Sequence, residues 1–146
     1  MDENKDTSGI FTISNSVFKN NTSEVGTVFN IININKITGS NIYVLNSNFI
    51  DNKASKYGGV VHSLGKYNNY HFVLLYCNFI NNYAYLGNDI YSISRESMPY
   101  ITNIKQLEST KNSVATNPTS FKLNDNSIDR ISIFSGDTIP NNILCI

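Results

Sequence analysis

Three carboxylates, two histidines and one cysteine lie within the patterned part of this chain, and what they can do depends on what stands beside them. Glycoside hydrolysis needs at least two carboxylates converging on one sugar bond. Base-catalysed elimination needs a base, often with a calcium ion held by clustered acids. Between residues 10 and 94 the acids inside the repeated pattern are Glu24, Asp51 and Asp89. Asp51 occupies a place taken elsewhere by Asn20 and Asn81, so it reads as a bend residue. Asp89 follows Asn88 and is expected to cap the turn at Gly87, with a cation site as the alternative. Glu24 reads as a solvated loop charge. His62 takes an aromatic slot and His71 begins a strand at the surface, neither with a metal-spaced partner. Cys77 stands where Ser16 and Ser47 stand and is expected to be a small buried side chain. The sequence therefore predicts no catalytic, cofactor or metal residues and a chain that is not an enzyme.

Two other groups bear on binding. Tyr67, Tyr70, Tyr83 and Tyr85 are aromatics that, if exposed, stack on sugar rings or anchor a protein partner, although tyrosine is also common in β structure. Asn20-Asn21-Thr22-Ser23 holds two overlapping glycosylation sequons at Asn20 and Asn21. Asn20 is the better acceptor if the Asn21 amide is committed to structure.

The elements that position these residues follow from a repeat. Asn occurs 24 times among 146 residues, and Asn tolerates left-handed backbone angles and closes its own turns. Three segments align on a Phe: Asn15-Ser-Val-Phe18-Lys-Asn-Asn21, Asn46-Ser-Asn-Phe49-Ile-Asp-Asn52 and Tyr76-Cys-Asn-Phe79-Ile-Asn-Asn82. The Phe residues are 31 and 30 positions apart. An Asn follows each by three and a Gly by eight or nine, with Gly26, Gly59 and Gly87 taken as the corner residues that need positive φ. A β-branched or aromatic lead-in precedes each copy: Ile10–Ile13, Ile42–Leu45 and Phe72–Leu75. No helical period is sustained. Strands that repeat without a crossover helix, where parallel pairing ordinarily needs a long connection, fit a chain wound around one core. The expected fold is all-β, a right-handed parallel β-helix of about three coils ~4.8 Å apart. Its structural ladder is Phe18, Phe49 and Phe79 as an inward aromatic column, with Asn21, Asn52 and Asn82 as amides bonded coil to coil.

At this point the sequence resembles a known family. Cys77-Asn-Phe-Ile-Asn-Asn-Tyr-Ala-Tyr-Leu-Gly-Asn-Asp-Ile-Tyr-Ser92 is similar to the repeat of polymorphic outer-membrane-protein-type and related pectin-lyase-like β-helix proteins. The other two copies match more loosely, and the resemblance covers residues 10 to 94. It implies an extracellular or cell-surface protein: an adhesin, a spacer or a receptor ectodomain. The alternative it implies is a carbohydrate-binding or carbohydrate-processing β-helix whose active coils are absent from this fragment.

Three coil segments are expected near 10–40, 41–70 and 71–94. Residues 95–119, with Pro99 and Pro118, read as a linker in which Ile101–Leu107 adds at most an irregular strand. Residues 120–146 read as the truncated start of a second β segment. The polar start of the chain is not a signal peptide, no apolar stretch is long enough to span a bilayer, and the chain reads as a piece of a longer protein. Eleven basic and eleven acidic residues balance, which points away from nucleic acid. The pattern leaves room for a protein or glycan partner without identifying one, and open coil ends invite self-association.

Overall fold

The computed structural model describes residues 9–34 and 40–117; the expected second β segment at 120–146 lies outside the described residues. The first repeat contributes β1 (Ile10–Ser14), β2 (Val17–Lys19), β3 (Thr22–Val25) and β4 (Phe29–Ile31). The second contributes β5 (Asn41–Leu45), β6 (Asn48–Ile50), β7 (Lys53–Tyr57) and β8 (Val61–Ser63), followed by the one-turn helix α1 (Asn68–His71). The third contributes β9 (Phe72–Leu75), β10 (Asn78–Ile80) and β11 (Ile90–Ser92). Beyond it lie β12 (Tyr100–Ile101), α2 (Ile104–Glu108) and β13 (Val114–Thr116).

Every sheet is parallel, and three of the four take one strand from each repeat. The sheet orders are β1-β5-β9-β12, β2-β6-β10, β3-β7 and β4-β8-β11-β13. The registers set corresponding positions side by side: Phe18 beside Phe49 beside Phe79, and Asn30 beside His62 beside Tyr91. In the third repeat Tyr83 and Leu86 bridge to Lys53 and Tyr57 in place of a full strand. The chain is thus mostly strand with little helix, and among the described residues no helix is long and apolar enough to cross a membrane.

Corners between strands are made by residues in the left-handed region. Asn15, Asn46 and Tyr76, each three before a Phe, and Asn20, Asp51 and Asn81, each two after, all have φ between 47° and 58°. Asn and Asp visit this region at small cost because their side chains bond locally; a bulky residue such as Tyr does so with more strain. Gly26, Gly58 and Gly87 also have positive φ, at 48°, 61° and 71°, as does Asn112 beyond the repeats at 58°. The corner residue of the second repeat is therefore Gly58, not Gly59. A bulge between β3 and β7, where Ser23 faces Ala54 but Val25 faces Tyr57, inserts one residue and moves the corner. Gly59 is needed for another reason, since a Cβ there would lie 1.9 Å from the carbonyl oxygen of Asn88 in the next repeat.

The core runs down the middle of the stack. Val44, Phe49, Val60, Val61, Phe72, Leu74 and Ile90 are all fully buried. The linker expected at 95–119 gives way to packed structure. Ile101 pairs beside Leu74 and Val114 beside Ile90, while Leu107 of α2 joins the same core. Ile101–Leu107 is not an irregular strand: β12 ends at Ile101 and a helix begins at Ile104.

Candidate functional site

The Phe and Asn columns converge on one cleft. Phe18 stacks on Phe49 at 5.3 Å between ring centroids, and Phe49 on Phe79 at 5.1 Å. Beside them Asn21 Nδ2 donates to Asn52 Oδ1 (2.8 Å) and Asn52 Nδ2 to Asn82 Oδ1 (3.0 Å). The same acceptors take the backbone N–H of Asn21 and of Asn52. Each amide also reaches back to the preceding repeat, Asn52 Nδ2 to Phe18 O and Asn82 Nδ2 to Phe49 O, both 3.0 Å. Such a chain satisfies buried amides that would each otherwise carry an unmet desolvation cost.

Beyond Asn82 the pattern changes. Its amide donates to Asp89 Oδ1 at 2.9 Å, and Ser113 Oγ donates to Asp89 Oδ2 at 2.6 Å. Asp89 stands in the row of Val28 and Val60, since Val28 N–H bonds Val60 O and Val60 N–H bonds Asp89 O. A carboxyl thus occupies a core position, and burial pushes its pKa up against the opposing effect of its two donors. It does not cap Gly87; Asn112 Oδ1 accepts that N–H at 3.1 Å. Asn82, Asp89 and Ser113 together with Phe79, Asn103 and Gln106 line a cleft of about 460 Å³ between β10 and α2.

The remaining candidates lie apart from it. Asp51 pairs with Lys19 at 3.8 Å. Glu24 is bonded by Lys56, whose ammonium holds the carboxyl below its usual range. These acids do not converge on Asp89, and among the described residues no three of His, Cys, Asp and Glu gather at metal spacing. His62 lies in its aromatic row, Nδ1 2.8 Å from Asn30 Oδ1, stacked on Tyr57 and Tyr91; burial lowers its pKa. His71 closes α1 instead of opening a strand, and it is half-buried, 3.3 Å from Asn41 Oδ1. Cys77 is buried and unpaired, its thiol pKa raised by burial.

The tyrosines separate into two places. Tyr67 and Tyr70 flank the start of α1 and sit within it. Tyr83 and Tyr85 project together from the face beside β7, 53% and 74% exposed, with Lys53 Nζ 5.6 Å from the Tyr83 ring. Asn20 is exposed, whereas the Asn21 amide is spent on Asn52.

Asn103, Gln106 and Ser113, which close the cleft, all lie in the stretch read from sequence as a linker. The available signal was the pair Ile101 and Val114, apolar residues that follow Leu74 and Ile90 at less than the thirty-residue period. No protein-family model, no curated protein and no solved structure matches the chain at a significant level.

Proposed function

We propose that this chain is a segment of a right-handed parallel β-helix with a noncatalytic role on the outside of a cell, as an adhesin, a spacer or part of a receptor ectodomain. The supporting observation is the in-register stacking of identical side chains across successive repeats, Phe on Phe and Asn on Asn. A chain wound in this way gives a stiff rod with flat repeating faces, a shape suited to holding binding surfaces away from a membrane. Right-handedness is the hand that parallel strand connections adopt almost without exception. The three acids of the repeats, Asp51, Glu24 and Asp89, are spent on ion pairs and on the Asn ladder, which supports the noncatalytic part of the reading.

Two measurements test this. Antibodies against the Tyr83–Tyr85 face should label intact, unpermeabilised cells; label confined to permeabilised cells refutes the surface role. Incubation of the purified chain with acidic and neutral polysaccharides should release no new reducing ends or unsaturated products, and turnover that copurifies with the chain refutes the noncatalytic role. A second reading, carbohydrate binding without cleavage, rests on the neighbouring exposed rings of Tyr83 and Tyr85. It predicts glycan-array binding that Tyr83→Ala and Tyr85→Ala abolish.

A further inference from the structure

The cleft beyond Phe79 and Asn82 is the volume in which a further strand of the second sheet would lie. The first and fourth sheets continue past the third repeat through β12 and β13, but among the described residues the second sheet stops at β10. Asn78 N–H donates to Ser47 O, and Ile80 O accepts from Asp51 N–H. Residues of a parallel strand turn alternately to its two sides, so the N–H and C=O of Phe79 face away from β6 and into the cleft. The backbone N–H of Asn82, whose counterparts in Asn21 and Asn52 each bond a side-chain oxygen of the next repeat, has no acceptor among the described residues. Asn103 Oδ1, on the α2 side, is buried without a hydrogen-bond partner. Among the described residues no further ring stacks on Phe79, which lines the cleft.

From these groups we infer that the cleft binds an extended peptide strand carrying an aromatic residue followed three positions later by a side-chain amide. The two preceding strands define the occupant. Its aromatic ring stacks on Phe79 as Phe79 stacks on Phe49, its main chain pairs with Phe79, and its amide oxygen accepts the N–H of Asn82. Strand addition of this kind draws affinity from main-chain bonds and specificity from alternate side chains. The volume of 460 Å³ lies within the usual range of ligand cavities, about 300–1,000 Å³. The flanking Asn103, Gln106 and Asp89 favour a partner with exposed amides over an apolar one. The inference deepens the proposed binding role and rests on the repeat stacking that supports it.

The test titrates the whole, isotope-labelled chain with an acetylated and amidated nonapeptide copying Leu45–Lys53 of this sequence. Saturable amide shifts are expected at Phe79, Asn81 and Asn82, with slowed hydrogen exchange at Phe79. The peptide carrying Phe49→Ala should bind at least about tenfold more weakly. The protein variant Gln106→Trp, which fills the cleft from an exposed helical position, should lose binding by a similar factor while its unfolding midpoint stays unchanged. Absence of saturable shifts at these amides overturns the inference, as does equal affinity of the Phe49→Ala peptide. Shifts confined to the opposite edge, at Val17 and Phe18, overturn it too. So do shifts with neutral oligosaccharides and none with the peptide, which would make the cleft a sugar site. Nuclear Overhauser contacts among the rings of Phe18, Phe49 and Phe79 are read in the same sample. If they are present while the peptide fails to bind, only the cleft assignment falls; if they are missing, the stacked-repeat reading falls as well.

Discussion

The third repeat is held between two unlike neighbours. On the side of the second repeat, β9, β10 and β11 each meet a full partner strand, and Phe79 and Asn82 each meet their own kind. On the side of residues 95–117, only the two-residue β12 and the three-residue β13 pair with it, and α2 faces β10 across the cleft. Residues 95–117 contain no Phe and so no Phe-x-x-Asn spacing; the spacing returns at Phe121 and Asn124, outside the described residues. Leu107 covers part of the core from the helix, but it cannot extend either column. Hydrophobic residues at roughly the right places are enough to continue the outer sheets; identical side chains at identical places are needed to continue the ladder.

The largest test of this contrast is Phe49→Ala. Phe49 is fully buried between two rings, and its truncation should destabilise the chain by about 3–5 kcal/mol in denaturant unfolding. Leu107→Ala, at the unlike neighbour, should fall at the low end of the 2–5 kcal/mol range for Leu truncation. Equal effects would erase the distinction between the two sides. Next comes Asn52→Leu, which removes the acceptor of two Asn21 donors and the donor to Asn82 and Phe18. It should destabilise by about 2–3 kcal/mol, since each buried donor left unmet costs roughly 1–3 kcal/mol.

A gain is expected at Tyr76. It has φ 54° where the equivalent corners carry Asn15 and Asn46, and its ring is 72% exposed. Tyr76→Asn should stabilise by about 1 kcal/mol, visible as a raised unfolding midpoint. No change would show that the ring contributes elsewhere as much as the strain removes.

Asp89→Asn should have the smallest effect and the only one that changes with pH. The folded pKa of Asp89 is raised by burial above its ordinary 3.8, so the folded state binds the proton more tightly than the unfolded one. Stability linked to this group is fully present below the unfolded pKa and is lost as pH rises through the folded pKa. Asn keeps an acceptor for Asn82 and carries no charge. The variant should therefore gain over the parent more at pH 7 than at pH 4, measured by denaturant midpoints. The opposite trend would mean that the carboxylate form is the one the cleft favours.

The strands of the first three repeats were legible in the sequence because corner chemistry and core chemistry coincide at one period. Asn at the bends and Phe in the column point to the same spacing, and neither needs tertiary knowledge. Gly59, ten residues after Phe49, was misplaced as a corner; the residue inserted in β7 puts the corner nine after Phe49, at Gly58, against eight in the other two repeats, while the Phe and Asn positions stay in register. The cleft was not legible. Its far wall comes from Asn103, Gln106 and Ser113, which share no spacing with the repeats, and Asp89 looked like a turn residue because its inward direction depends on the row of Val28 and Val60 beneath it.

The amide ladder also has a sense of direction. Every carboxamide oxygen in it receives from the earlier repeat, so Asn21 is left with an Oδ1 that holds no hydrogen bond among the described residues, and Asn82 with a main-chain N–H that has none. One terminus of the stack offers electron pairs and the other offers a proton. A segment that extends the ladder past Asn82 must therefore bring an acceptor, and one that extends it before Asn21 must bring a donor.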